Sequence, residues 1–237
     1  MNKLDIIVPV KNEAHTVSAL VHRIASSMRK ADIAYSIIFV DDRSTDDTSS
    51  VISILAHYHP IKLHHKIGKP GKAFCILEGA EIATAEHVVM IDADLQYPPE
   101  IIPEMYKQAS QHGVVVANRR VYKSTLLRRF ASRANALVFG RLLFGLDCDI
   151  QSGLKLFRKE IIEHVDPSMV GPWSLDIPLL YAAKSLGYNI GSVDISFERR
   201  ENGQSHISFL SVAFEIALGA MKLRLRRNHA SPTFSHL

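Results

Sequence analysis

The sequence has few of the features that mark secreted proteins. Its 237 residues include two cysteines, Cys75 and Cys148, which are too few for a disulfide framework. A reduced, cytosolic protein is therefore the expectation. The N-terminus enters a short apolar run at Leu4 and soon meets Lys11 and Glu13, which does not fit a signal peptide.

Long apolar runs are also lacking. A helix that spans a bilayer needs about 20 apolar residues. The two best stretches, 134–146 and 207–221, are interrupted by Arg141 and Glu215 respectively. Neither is expected to span a membrane, but both could lie on a membrane surface.

Acidic residues are missing from two parts of the chain, although the formal net charge is only +4. The stretch from Ala117 to Arg141 carries seven basic residues, and four more follow Glu215 before position 228. The remaining residues are therefore net acidic. One part of the surface is expected to attract anions and the other to recruit cations.

What the sequence does contain is an alternation of short β-branched runs and helical periodicity. This rhythm predicts an α/β protein with a mostly parallel sheet, helices on both faces and a single domain. Ser44 is predicted to cap the helix after the second strand. Strands are predicted over 4–10, 36–40, 61–64, 87–91 and 114–117, with two further candidates at 154–157 and 190–197.

Acids follow two of the apolar strands directly. Asp41 and Asp42 come after 37–40, and Asp92 and Asp94 come after 88–91. Two residues apart in an extended segment, Asp92 and Asp94 project to the same side and repel each other unless a cation lies beside them. Magnesium commonly combines one or two carboxylates with substrate phosphates. The pattern therefore favours a divalent ion that binds a diphosphate over acids that merely solvate a turn.

Five segments in order resemble the inverting nucleotide-sugar glycosyltransferases of family 2, which have the GT-A fold. The run Asp92-Ala93-Asp94-Leu95-Gln96-Tyr97-Pro98-Pro99-Glu100 is similar to the branch of dolichyl-phosphate mannose synthases and polyprenyl-phosphate glycosyltransferases. The other four segments are Val8 to Glu13, Asp41 to Thr48, Asp149 to Gly153 and Arg200 to His206. The resemblance covers about residues 4–210 and implies the same fold for this chain.

The resemblance also implies roles for individual residues. Catalysis is assigned to Asp92, Asp94 and Arg200, and a Mg²⁺ or Mn²⁺ ion to Asp92, Asp94 and Gln96. The nucleotide-sugar would contact Pro9, Glu13, Asp41, Asp92, Ala93, Asp94 and Gln96. The acceptor phosphate would contact Arg119, Arg128, Ser132, Arg200, Ser205 and His206. The chain departs from the family pattern at Lys11, Arg120 and His206, where Tyr, Tyr and Lys are usual.

Lys72 has two open interpretations. It lies in a glycine-bearing turn before a helix, where a backbone amide and the ammonium could meet a phosphate of the nucleotide-sugar. An ordinary surface turn is the alternative. The basic stretch is likewise open between a solvated helix face and a surface for an anionic lipid, and no motif for nucleic acid accompanies it.

The expected activity is inverting transfer of a hexose to dolichyl or polyprenyl monophosphate. GDP-mannose is the favoured donor, with a UDP-sugar as the alternative. The rivals are a family 2 enzyme acting on a saccharide hydroxyl, with Asp149 or Asp176 as base, and a degenerate nucleotide- or membrane-binding module. The expected organisation is a catalytic domain over 1–210, an amphipathic helix over 206–227 and a disordered tail over 228–237, peripheral on the cytosolic membrane face.

Overall fold

Seven strands form one sheet in the part of the chain that the computed structural model describes, residues 3–121 and 148–196. The order across the sheet is β3-β2-β1-β4-β6-β5-β7, and only β6 runs antiparallel to its neighbours. The predicted α/β class with a mostly parallel sheet is confirmed. The strands are β1 Lys3–Val10, β2 Ala34–Asp41, β3 Ile61–His65, β4 His87–Met90, β5 Val114–Val121, β6 Lys155–Arg158 and β7 Ile190–Ser196.

Helices cover both faces of this sheet, because the strands are apolar on both sides. One face packs on α1, α2 and α4, and the other packs on α3, α5 and α6. The helices are α1 Ala14–Lys30, α2 Thr48–Leu55, α3 Lys72–Ile82, α4 Ile102–Gln108, α5 Lys159–Glu163 and α6 Asp176–Ser185, with short 3₁₀ turns at Pro99–Ile101 and Pro167–Met169.

The predicted cap at Ser44 is wrong. Helix α2 begins four residues later at Thr48, with Asp47 at the cap position. Ser44 instead donates from its backbone N–H and its hydroxyl to Asp41 Oδ1, at 2.9 and 2.5 Å. The carboxylate at the end of β2 thus holds the serine in the loop and away from the helix end.

The topology gathers several loops at one edge of the sheet. Because β1, β2 and β4 are parallel, their carboxyl ends at Val10, Asp41 and Met90 lie on the same side. Strand β6 runs the other way, and its first residue Lys155 pairs with Met90. The segment that precedes β6 therefore reaches the same edge, which is where open α/β sheets bind ligands.

Candidate active site

The segment after β4 places two carboxylates at this edge. Asp92 and Asp94 are partly exposed, while Ala93 between them is buried in the core. Leu95 has a φ of 60°, in the left-handed region that a bulky residue rarely adopts. This turn brings the backbone N–H of Gln96 to 3.2 Å from Asp94 Oδ1. A strained, tight turn thus follows the two acids directly.

Lys72 meets the first of these acids. Its Nζ pairs with Asp92 Oδ1, and the two side chains are 31% and 25% exposed. Lys72 is the first residue of α3, and Gly71 before it has a φ of 132°. A side chain on Gly71 would come within 2.7 Å of Pro172. Glycine at this position therefore lets the turn approach the 171–175 segment and aim Lys72 at the acids.

The electrostatics of Lys72 follow from this position. Burial by itself would lower the pKa of the Lys72 ammonium, but the neighbouring carboxylates raise it above its usual value. Asp92 contributes most of this effect, followed by Asp176 and Asp94. Lys72 therefore stays charged at neutral pH, among three carboxylates.

Two further contacts hold the turn that carries Lys72. Asp42 is buried, and its Oδ2 accepts the backbone N–H of Gly71 at 2.9 Å. Glu78 of α3 accepts the backbone N–H groups of Ile67 and Gly68 at 3.1 and 2.9 Å. The segment that leads into Lys72 is thus held by two carboxylates.

The position of Asp92 depends on close packing against Gly153. A Cβ on Gly153 would lie 2.8 Å from Asp92 Cγ, nearer still to Oδ2, and 2.9 Å from Tyr97 Cε2. The backbone N–H of Gly153 donates to the Tyr97 hydroxyl at 2.7 Å. Burial raises the pKa of Tyr97 well above its usual value, so the phenol stays neutral. Glycine at 153 is therefore required for the carboxylate to lie where it does.

A buried lysine, Lys155, links two of the segments near Asp92. The Lys155 side chain is fully buried, and its Nζ donates to the Ser152 carbonyl at 2.5 Å and pairs with Asp176 Oδ1. Asp176 begins α6, so this pair ties the helix to the segment of Gly153. Lys155 lies between apolar Leu154 and Leu156, and a charge inside an apolar strand is the signal that could have identified it from sequence.

Arg119 binds Asp149 in the same region. Its Nη2 donates to Asp149 Oδ1 at 2.9 Å, and its Nε pairs with Oδ2, which makes the contact bidentate. The backbone N–H of Asp149 donates to the Asn118 side chain at 2.8 Å. Both Asp149 and Asp176, the candidate bases of the saccharide-acceptor hypothesis, are thus bound by cations.

Three of the predicted nucleotide contacts lie at the carboxyl ends of β1 and β2: Pro9 in β1, Asp41 at the end of β2, and Glu13 in the loop after β1. Pro9 is half-buried, and the Glu13 carboxylate accepts the Thr16 hydroxyl at 3.0 Å. Asp41 is buried, and its Oδ2 accepts the Ser49 hydroxyl at 2.6 Å. Burial opposes ionisation of Asp41, but the bonds from Ser44 and Ser49 lower its pKa. In this structure Asp41 organises its own loop.

The donor set suits a hard divalent cation, which prefers oxygen ligands. Asp92, Asp94 and Gln96 offer carboxylate and amide oxygens at one sheet edge, and the Lys72 ammonium already pairs with Asp92 as a stand-in cation. Within residues 3–121 and 148–196, no group of three His, Cys, Asp or Glu is arranged to hold a metal ion.

The structure thus brings Lys72 into contact with Asp92, and places Asp94, Gln96 and Arg119 around the same edge. Five predicted residues, namely Arg128, Ser132, Arg200, Ser205 and His206, lie outside the described residues, as does the predicted helix over 206–227. Among the described helices, none is long and apolar enough to cross a bilayer.

Residues 5–166 match the family described as Glycosyl transferase family 2. The chain belongs to this family, in agreement with the resemblance of its motifs.

Two relatives show which members of the family this chain is similar to. The chain is 30% identical over 222 residues to an undecaprenyl-phosphate 4-deoxy-4-formamido-L-arabinose transferase of Sodalis glossinidius, covering 90% of this chain and 65% of the relative. It is 27% identical over 214 residues to a dolichol-phosphate mannosyltransferase of Pyrococcus furiosus, covering 86% of this chain and 59% of the relative. The chain therefore spans about two thirds or less of the length of these relatives.

Solved structures share the fold at lower identity. A mannosyl-3-phosphoglycerate synthase from Rubrobacter xylanophilus superposes with a TM-score of 0.73 at 19% identity, over 98% of this chain and 77% of that one. A glucosyl-3-phosphoglycerate synthase from Mycobacterium tuberculosis, crystallised with Mn²⁺ and UDP-glucose, gives 0.72 at 17% identity, over 100% and 83%. The predicted GT-A fold is confirmed by this likeness.

Proposed function

We propose that the chain transfers a hexose from a nucleotide-diphospho-sugar to a polyprenyl or dolichyl monophosphate, with inversion at the anomeric carbon. The observation that carries the proposal is the pair Asp92 and Asp94 at the carboxyl edge of the sheet, with Lys72 bound to Asp92. The named lipid-phosphate relatives support the acceptor class. Mannose from GDP-mannose is the favoured donor, and a UDP-sugar is the alternative.

The reaction brings two anions close together, the diphosphate of the nucleotide-sugar and the phosphate of the acceptor. Asp92, Asp94 and Gln96 would hold Mg²⁺ or Mn²⁺, which when bound neutralises charge on the diphosphate leaving group. Lys72 lies beside the same carboxylates and supplies a further positive charge. An acceptor phosphate oxygen forms the new bond to the anomeric carbon as the bond to the diphosphate breaks, releasing a nucleoside diphosphate.

A phosphate acceptor needs no strong base. The second pKa of a phosphate monoester is about 6, so the nucleophilic oxygen is mostly deprotonated at neutral pH. A saccharide hydroxyl would instead need a carboxylate base. Asp149 is bound by Arg119 and Asp176 by Lys155, which supports the phosphate acceptor over the hydroxyl.

The predicted acceptor residues extend the proposal beyond the described part of the chain. Arg128, Ser132, Arg200, Ser205 and His206 would bind the lipid phosphate, and the basic helix over 206–227 would lie on the cytosolic membrane face. Arginine suits this role because its planar guanidinium binds phosphate in a bidentate way. Arg200→Ala should therefore weaken use of the lipid phosphate more than binding of the nucleotide-sugar.

A transfer assay tests the proposal. The full chain is incubated with Mn²⁺, radiolabelled GDP-mannose or UDP-glucose, and either a short polyprenyl phosphate, a free saccharide or 3-phosphoglycerate. The proposal expects label in an acid-labile, organic-phase product. Label on the saccharide or on 3-phosphoglycerate alone would overturn the lipid acceptor, and nucleotide binding without turnover would indicate a degenerate module.

A further inference from the structure

The Lys72 ammonium pairs with the carboxylate that the proposed function gives to a metal ion. We propose that Lys72 is an internal counter-cation that keeps a divalent metal off Asp92 until a nucleoside diphosphate arrives. Metal and donor would then bind together, and the metal alone only weakly. The inference rests on the proposed function, because it takes Asp92 as a metal ligand.

The surroundings of Asp92 limit how a second cation can approach. Oδ1 carries the ion pair with Lys72, and Oδ2 lies on the side packed against Gly153 and Tyr97. Asp92 is only 25% exposed, so its carboxylate has little freedom to offer another face. A metal ion that approaches Asp92 must displace the ammonium or lie close to it, and two like charges in a partly buried site repel strongly.

The position of Lys72 is built into the fold. Its backbone follows Gly71, whose N–H is bound by Asp42 and which lies against Pro172. The backbone N–H of Ala73 donates to the Pro172 carbonyl at 2.9 Å. The turn is therefore fixed, and an exchange of partners by Lys72 requires only rotation of its long side chain, which is 31% exposed.

A diphosphate can resolve this competition. Its oxygens accept the ammonium of Lys72 and also coordinate a hard cation, which commonly combines one or two carboxylates with substrate phosphates. One ion pair is exchanged for another, and Asp92 is released to the metal. The switch is thus selective for a ligand that brings both negative charge and phosphate oxygens.

Titration of the full chain with Mn²⁺, followed by electron paramagnetic resonance of the free ion, tests the inference without turnover. Wild type should bind Mn²⁺ weakly, and GDP or UDP should strengthen binding to the protein at least about tenfold, after subtraction of the Mn²⁺ that the nucleotide binds in a protein-free control. Lys72→Met should bind Mn²⁺ alone about tenfold more tightly and gain less from the nucleotide. Lys72→Arg keeps the charge and should behave like wild type.

Lys69→Met is the matched control, because it removes an exposed lysine from the same turn. The inference is overturned if Lys72→Met and Lys69→Met bind Mn²⁺ alike while Asp92→Asn weakens binding. If Asp92→Asn leaves Mn²⁺ binding in the presence of nucleotide unchanged, the metal assignment of the proposed function fails instead. Circular dichroism of each variant establishes that it is folded.

Discussion

Gly153→Ala is the substitution for which the structure makes the sharpest prediction. The added methyl would lie 2.8 Å from Asp92 Cγ and 2.9 Å from Tyr97 Cε2, so at least one of these neighbours has to move. Tyr97 is buried and accepts the backbone N–H of Gly153, so Asp92 has to move. Its rotation breaks the contact with Lys72 and displaces the carboxylate from the site.

The expected effects of Gly153→Ala on stability and on activity differ in size. Overpacking of this kind costs about 1–3 kcal/mol of folding free energy. Displacement of a reacting or binding group by about 1 Å can cost about 100-fold in rate. That rate loss corresponds to about 2.7 kcal/mol of transition-state stabilisation. We therefore expect Gly153→Ala to fold, with a modestly lower melting temperature, and to lose about 100-fold or more in kcat/KM.

Gly113→Ala provides the control. Its methyl would clash with Tyr188, at 2.5 Å from Cβ, at the amino edge of the sheet and away from the site. Both variants are compared by thermal unfolding and by sugar transfer at a temperature where each is folded. Equal rates of sugar transfer by the two variants, or full activity in Gly153→Ala, would refute the claim that glycine at 153 leaves the room that the Asp92 carboxylate needs.

Further predictions concern the ion pairs and hydrogen bonds around the site. Lys155→Met should destabilise the fold by about 3 kcal/mol in urea unfolding, whereas Lys155→Met combined with Asp176→Leu should recover much of that loss; additive losses would contradict coupling. Asp41→Asn should cost about 1–3 kcal/mol, because its oxygens accept two serine hydroxyls; an unchanged urea midpoint would speak against this. Burial would raise the pKa of Glu78, but hydrogen bonds from His64 and from the backbone of residues 67–68 lower it below 4.5. The stabilisation of the fold by the Glu78 carboxylate is therefore present above that pH and is lost as the pH falls through the pKa of Glu78 in the folded state. Glu78→Gln should therefore flatten the loss of stability between about pH 5 and about pH 3, and an unchanged slope would exclude the effect.

Local patterns predicted most of the fold. The apolar run 37–40 lies in the buried strand β2, and the run 88–91 begins in the buried strand β4 and extends one residue beyond it. Asp41 ends β2, and Asp42, Asp92 and Asp94 follow these two strands. Sequence alone did not place Ser44, because the choice between a helix cap and a bond to Asp41 depends on the tertiary position of β2. The antiparallel direction of β6 was likewise not predicted, since a four-residue strand carries no signal of its direction.

The long-range contacts of the site were outside the reach of sequence reasoning. Lys72 and Asp92 are twenty positions apart, and only the crossover that packs α3 beside β1 and β2 brings them together. The close packing of Asp92 against Gly153 depends on the position of β6 beside β4 in the sheet. These contacts follow from strand order, whereas the motifs reveal only which residues are available.

One comparison tests the central claim most directly. Purified wild type and Asp94→Asn, each shown to be folded, are incubated with radiolabelled GDP-mannose, Mn²⁺ and a short polyprenyl phosphate, and label is counted in the organic phase. We predict mannosyl lipid from wild type and at most background from Asp94→Asn. Equal transfer by both proteins would contradict the assignment of the reaction to the carboxyl edge of β4.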